Sequence, residues 1–272
     1  MRIKFWGVRG STPAAQPENM RYGGNTSCVE VRLGNQIYIF DCGTGFRMLG
    51  NQLRSEFNGT PISAHVFLSH FHWDHIQGLP FFGPLYENAK NRFVFHSSNR
   101  TRALKQVLEE QMASPYFPVG LKEMKAQREF HNLEEGSIQL DDITIRTAWL
   151  NHPQGCMGFR LETKEGVIVY ATDNEPGDEG FDKSVRKLAE GADVLIYDAQ
   201  YLPDEYETRR RGWGHSHWRE AVNIVMQSGA KDLILYHHDP DHDDLCLDKV
   251  VQEARNYYPH VRAAAEGMEI VL

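Results

Sequence analysis

The chain has 272 residues, 41% of them hydrophobic and 24% charged, with a formal net charge of −8. That balance supports a large core and excludes a disordered chain. The acidic surface disfavours a long nucleic acid and leaves a small anionic substrate open, because bound cations can dominate a local field. Four cysteines, Cys28, Cys42, Cys156 and Cys246, are scattered without metal-ligand or redox spacing and read as reduced thiols. The opening Met1-Arg2-Ile3-Lys4-Phe5-Trp6-Gly7 reads as a strand, not a signal peptide, and no run approaches membrane-span length. A cytoplasmic protein without membrane contact is the expectation.

Ile3–Trp6 is a short apolar strand, followed by a loop through Tyr22-Gly23-Gly24. Strands are expected near Cys28–Leu33 and Gln36–Asp41, joined by a tight turn at Gly34-Asn35. Phe46–Arg54 reads as a short helix, Ala64–Ser69 as a buried strand and Arg92–His96 as another. A helix is expected from Arg102 to Met112, with Leu104, Val107, Leu108 and Met112 on one face. Residues 113–127 look irregular. Strands follow near Ser137–Leu140, Ile143–Trp149, Met157–Glu162 and Val167–Thr172. The last third alternates: helix Lys183–Ala189, strand Val194–Tyr197, helix Ser216–Gln227, strand Leu233–Tyr236, helix Leu247–Tyr257. Trp218, Ala221, Val222, Val225 and Met226 recur at helical spacing. Without linker or repeat, one domain over residues 1–272 is the economical reading, with packed sheets and helices outside.

The run His70-Phe71-His72-Trp73-Asp74-His75 follows a buried strand directly and holds four potential metal ligands in six residues. Divalent ions such as zinc take imidazole nitrogens and carboxylate oxygens. One ion rarely uses four ligands from so short a run, whereas two ions about 3.5–4 Å apart can share them. Further ligand types follow apolar runs at His152, Asp173 and His237, where a polar residue sits at a sheet rim. Each alone is as readily a surface residue; together with the histidine run they favour a metal site.

These residues resemble the HxHxDH signature of the metallo-β-lactamase fold superfamily. The strand-end aspartate preceding that signature looks like Asp41, and the later ligands look like His152, Asp173 and His237. The resemblance implies an α/β fold, a four-layer αββα sandwich with two divalent metals at one edge. It implies His70, His72 and His152 on one metal, Asp74, His75 and His237 on the other, and Asp173 bridging both. A hydroxide between the ions would be the nucleophile, Asp74 would also orient it, and Asp41 would support the histidine loop. Zinc suits the ligands, and manganese or iron would also fit.

Asp198-Ala199-Gln200-Tyr201 and Gly214-His215-Ser216 resemble the ribonuclease Z-like phosphodiesterases. There a histidine before a helix assists phosphodiester cleavage, which matches His215, with Ser216 expected as the helix cap. Its acidic partner matches Asp198, where the ribonucleases usually carry glutamate. Those ribonucleases grip tRNA with a long arm between the positions of His152 and Asp173; only 20 residues separate the two here. The expectation is therefore a phosphodiesterase for a small, nucleotide-like substrate, with tRNA disfavoured. The segments Phe5–Ser11 and Arg21–Ser27 also look like small metal-dependent hydrolases related to cyclic-nucleotide phosphodiesterases.

The rival readings are a carbonyl hydrolase of the same fold, acting on a thioester, lactone or lactam, and a non-catalytic metal-bearing binding protein. Asp173 speaks against the β-lactamase type with cysteine there, and His72 against a redox di-iron site, which usually has glutamate. Secondary candidates are Arg9 and Arg21 as phosphate contacts, Arg209-Arg210-Arg211 as phosphate contacts or a solvated helix, and Phe81, Phe82 and Tyr86 as a stacking wall or core. His217, His238 and His242 stand between substrate contacts and turn residues. Pro115-Tyr116-Phe117-Pro118 is open as a lid or a homodimer contact.

Overall fold

A computed structural model describes residues 1–98, 103–140 and 142–272. In chain order its strands are β1 (Arg2–Gly7), β2 (Cys28–Leu33), β3 (Gln36–Phe40), β4 (Ser63–Phe67), β5 (Arg92–Ser97), β6 (Gln127–Asn132) and β7 (Gly136–Leu140), then β8 (Ile143–Leu150), β9 (Cys156–Glu162), β10 (Val167–Ala171), β11 (Val194–Asp198), β12 (Asp232–Tyr236), β13 (Val261–Ala263) and β14 (Glu269–Val271). They form two seven-stranded sheets, ordered β14-β1-β2-β3-β4-β5-β6 and β13-β12-β11-β10-β9-β8-β7. The expected hairpin is present: Leu33 pairs with Gln36 across Gly34-Asn35, and Gly34 has φ 56°, the left-handed region that glycine enters without a Cβ clash.

Alternation decides which side chains meet between the sheets. Along β1, Ile3 and Phe5 are buried while Arg2 and Lys4 are partly exposed. Ile3, Phe5, Phe40 and Phe67 of the first sheet pack on Phe159, Tyr170, Ile196 and Tyr236 of the second. Phe40 lies at ring-centroid distances of 5.5 Å from Phe67, 5.8 Å from Phe159 and 5.4 Å from Tyr170. Each such aromatic pair contributes about 0.5–1.5 kcal/mol beyond area burial. Helices Thr44–Phe57 and Leu104–Gln111 cover the outer face of the first sheet; Glu179–Ala189, Trp218–Ser228 and Asp244–Arg255 cover that of the second. The result is the four-layer αββα sandwich.

Several boundaries moved. The first helix starts at Thr44 and runs 14 residues, because helical spacing continues past Arg54 to the left-handed cap Asn58. The helix expected from Arg102 is described from Leu104; Arg102 lies outside the described residues. Met226, expected on the buried face, is 60% exposed, and the buried face extends on its other flank to Ile224 and Ser228. Strands β6, β13 and β14 have no counterpart in the sequence reading. They lie at sheet edges, and β6 exposes four of its six residues, so no apolar alternation marks it. No helix among the described residues is long and apolar enough to cross a membrane.

In both sheets a run of parallel strands, β3 to β6 and β10 to β13, points its carboxyl ends toward one edge. Crevices at such ends are where α/β sheets place ligands. Asp41, His70, Asp173, Asp198 and His237 all lie at, or just beyond, the ends of β3, β4, β10, β11 and β12.

Candidate metal centre

The histidine run leaves β4 and turns at once into a single helical turn, Trp73–Ile76. Asp74 and His75 are thereby buried, while Trp73 stays 78% exposed. Three site residues that end strands, Asp41, Asp173 and His237, have φ of 62°, 57° and 62°. This left-handed region is unfavourable for residues with a Cβ, about 1–3 kcal/mol each, and surrounding contacts must hold it. Gly10 gives the room: a Cβ there would stand 2.4 Å from Nδ1 of His237.

Four imidazoles have their Nδ1 tied from outside. His75 Nδ1 donates to Asp41 Oδ2 at 2.8 Å, and His152 Nδ1 donates to the Gly214 carbonyl at 2.8 Å. His237 Nδ1 meets Gln200 Oε1 at 3.1 Å. Ser69 Oγ donates to Asp41 Oδ2, so its oxygen is left to accept from His70 Nδ1 at 3.1 Å. Each bond favours a proton on Nδ1 and turns Nε2 toward the centre. His72 is reversed: its Nδ1 lies 3.1 Å from His152 Nε2.

The ligand atoms of His70, His72 and His152 lie within 4.8 Å of one another, as do those of Asp74, His75 and His237. Asp173 divides its oxygens between the trios. Oδ1 is 3.7 Å from His70 Nε2 and 3.8 Å from His152 Nε2; Oδ2 is 3.3 Å from His75 Nε2 and 3.4 Å from His237 Nε2. The Ser11 amide donates to Asp74 Oδ2 at 2.7 Å and orients it.

This donor set fits divalent cations. His70 Nε2 is buried without a hydrogen-bond partner, and His75 Nε2 and His237 Nε2 face each other at 3.1 Å. Burial alone would raise the Asp74 and Asp173 carboxyls, yet His75 and His237 hold both well below the usual range. Burial would depress His75, but Asp74, Asp173 and Asp41 push it well above its ordinary value. Burial pushes His70 far down and His152 down to about 4, so both offer lone pairs at neutral pH. The centre thus calls for positive charge, supplied by a proton on His75 where a cation would stand, while His70 and His152 present bare nitrogens. Cys156, though buried, turns its Sγ to the Thr172 carbonyl at 3.4 Å and belongs to neither trio.

Beside the trios stands a second pair. His215 Nδ1 donates to Asp198 Oδ2 at 2.9 Å, and the His215 ring stacks on His237 at 5.0 Å with 21° between planes. Asp198 also accepts from the amides of Asp173, Gln200 and Ser216, which fixes its carboxylate. Ser216 is not the cap expected of it. His217 caps the helix through Nδ1, accepting from the Glu220 amide at 3.2 Å. A cavity of about 510 Å³ opens over the site, lined by Ser11, Phe71, His72, Trp73, Asp74, Gln154, Asp173 and His215.

The match of a family model, described as a beta-lactamase superfamily domain, covers residues 37–238. The chain belongs to that family. A ribonuclease Z of Haloarcula marismortui is 27% identical over 316 aligned positions, covering 99% of this chain and 96% of the relative. A metallo-β-lactamase fold protein from Bacillus subtilis superposes with a TM-score of 0.74 at 19% identity, covering 99% of this chain and 98% of that one. The short form of human tRNase Z gives 0.68 at 21% identity, covering 99% and 98%. Family and relatives identify a metal-dependent hydrolase of ribonuclease Z-like type. The names of these relatives weigh against the expectation that disfavours tRNA.

The secondary candidates separate cleanly. Arg9 is buried, and its guanidinium donates to the carbonyls of Gly23, Asp239 and His242, so it braces loops. Arg21 pairs with Asp248. His238 donates to the Ala264 carbonyl and His242 pairs with Glu205. Phe82 stacks on Phe46 at 3.8 Å in the core, while exposed Phe81 meets Phe117 edge-on. Sequence reasoning gave no site role to Ser11 and Gln200, although both lie in segments that carry the resemblance. Gln200 also donates to Ser11 Oγ, and neither residue carries a pattern that would single it out.

Proposed function

We propose that the chain, as one hydrolase domain over residues 1–272, hydrolyses a small, nucleotide-like phosphodiester. The observation that carries this reading is the Asp198–His215 pair beside the two trios. Asp198 accepts a hydrogen bond from the Nδ1–H of His215, so Nε2 is the nitrogen left for substrate, and His215 lines the cavity. Burial opposes a charged imidazole there, but Asp198, then Asp173 and Asp74, raise its pKa above the ordinary histidine value. A proton held at Nε2 can pass to the departing alkoxide or stabilise charge on the phosphoryl oxygens.

His70, His72 and His152 would hold one divalent cation and Asp74, His75 and His237 the other, with Asp173 between them. Such cations, zinc by preference, supply Lewis acidity and a water ionised near neutral pH. Asp74 and Asp173 orient the reacting centre, and the Nδ1 partners keep each imidazole in its binding tautomer.

Small substrates are favoured by the span between His152 and Asp173. It contains only the antiparallel pair β9–β10 and a short turn at residues 163–166. The 316 aligned positions exceed the 272 residues of this chain, so the Haloarcula relative carries insertions absent here. The second reading is tRNA cleavage, favoured by the names of the relatives. No disulfide joins the four cysteines, which suits a reducing, cytoplasmic setting.

The test is a panel on metal-loaded protein: bis(p-nitrophenyl) phosphate, nucleoside diesters, tRNA transcripts, thioesters and β-lactams. Turnover of the small diesters is the expected result. Turnover of tRNA alone would move the assignment to the second reading, and turnover of a thioester alone would overturn phosphodiester chemistry.

A further inference from the structure

Arg209, Arg210 and Arg211 are consecutive, and the fold treats the middle one differently. Arg209 binds Glu205 at 2.9 Å and Arg211 pairs with Glu207, each partner four residues earlier. The residue four before Arg210 is Tyr206, which has no negative charge to offer. Among the described residues Arg210 has no ion pair, and its Nε is buried without a hydrogen-bond partner. Its guanidinium lies 4.6 Å from the Trp213 ring centroid and 5.5 Å from that of Tyr201.

The location is tied to the reaction centre. Tyr201 is buried, and its ring meets the His215 ring edge-on at 5.9 Å. Arg210 closes a π-helical turn, Tyr206–Arg210, a wide winding that recurs at functional sites. Glu175 anchors the segment, accepting from the amides of Gly212 and Gly214 and from the Tyr206 hydroxyl. Gly214 in turn holds His152 through its carbonyl.

We propose that Arg210 is an anion subsite that takes a second phosphate on the substrate. This rests on the phosphodiester reading and adds a charge requirement to it. A guanidinium stacked on aromatic rings keeps its in-plane N–H groups free for an oxyanion. A buried N–H without an acceptor is unfavourable until such a group arrives. In a chain of net charge −8, an unpaired, half-buried cation beside the site discriminates among anions. Arg9 and Arg21 are spent on carbonyls and on Asp248, which leaves this role to Arg210.

The test compares thymidine 5′-(p-nitrophenyl phosphate) with its 3′-phosphorylated counterpart on the metal-loaded chain. The parent favours the doubly phosphorylated diester. In Arg210→Gln that preference falls about tenfold or more, through KM, and Arg210→Lys restores part of it. An unchanged preference, or equal loss on both substrates, overturns the subsite. Binding of thymidine 3′,5′-bisphosphate and of the 5′-monophosphate, read by tryptophan fluorescence, separates the two claims. If no diester turns over but Arg210→Gln still weakens the bisphosphate selectively, the proposed activity fails and the subsite stands. If the variant binds both nucleotides as the parent does, the subsite fails.

Discussion

Asp41 and His75, 34 residues apart in sequence, share a 2.8 Å hydrogen bond that sets which nitrogen of His75 faces the metal centre. Asp41 Oδ2 also accepts from Ser69 Oγ and from the buried Tyr170 hydroxyl, and Oδ1 accepts from the Ser69 amide. One carboxylate thereby orders His75 directly and His70 through Ser69.

Asp41→Asn weakens this arrangement without changing size. Partners of this kind are worth about 10- to 100-fold in metal affinity. Chelator competition on folded variant should show a loss in that range, and Tyr170→Phe should show a smaller loss in the same direction. Unchanged metal affinity in Asp41→Asn would refute the orienting role.

Removing metal should destabilise the fold, because the centre gathers two carboxylates and bare imidazoles that a cation joins. At free metal a thousandfold above Kd, one ion bound only by the folded chain contributes about 4 kcal/mol. Thermal unfolding with and without chelator measures it. The expected result is a lower Tm in chelator, reversed by added zinc, with Asp74→Ala losing both the metal and most of the response.

His215→Ala should keep metal and lose about 10²–10⁴-fold in kcat on a diester with a poor leaving group. Asp198→Asn should fall in the same direction by less. Metal analysis beside steady-state kinetics separates the roles. A fully active His215→Ala removes the main reason for choosing phosphodiester chemistry.

His96 makes a pH prediction away from the site. It is buried between His65 and His131, at ring-centroid distances of 5.2 and 5.3 Å. Burial first, then His65 and His131, pushes its pKa down to about 3. The folded chain keeps His96 neutral, whereas the unfolded chain binds a proton below about pH 6.5. Stability therefore falls as pH drops from about 6.5 toward 3, by about 2 kcal/mol at pH 5 from this residue. Urea unfolding at pH 7.5 and pH 5 should show His96→Gln losing about that much less than the parent; equal losses would remove the account.

The candidate site was legible where chemistry follows local pattern. His70 to His75 sit behind an apolar strand, and His152, Asp173 and His237 each end one, so residue type and position at a sheet rim mark them together. The hairpin at Gly34-Asn35 and the long helices were legible for the same reason: their periodicity is written into neighbouring residues. Edge strands β6, β13 and β14 were not, because pairing of backbone to a neighbour forms them with little apolar alternation.

By itself, the sequence determined the ligand types, their order and the apolar faces that bury them. Tertiary structure alone decided how Asp173 divides its oxygens, which Nδ1 partner each histidine finds, and that Ser11 and Gln200 belong to the site. It also decided that, of three adjacent arginines, Arg210 finds no carboxylate among the described residues. The physical reason is distance along the chain. Hydrogen bonds from Asp41 to His75 or from His152 to Gly214 close over 34 and 62 positions, and no local pattern encodes them.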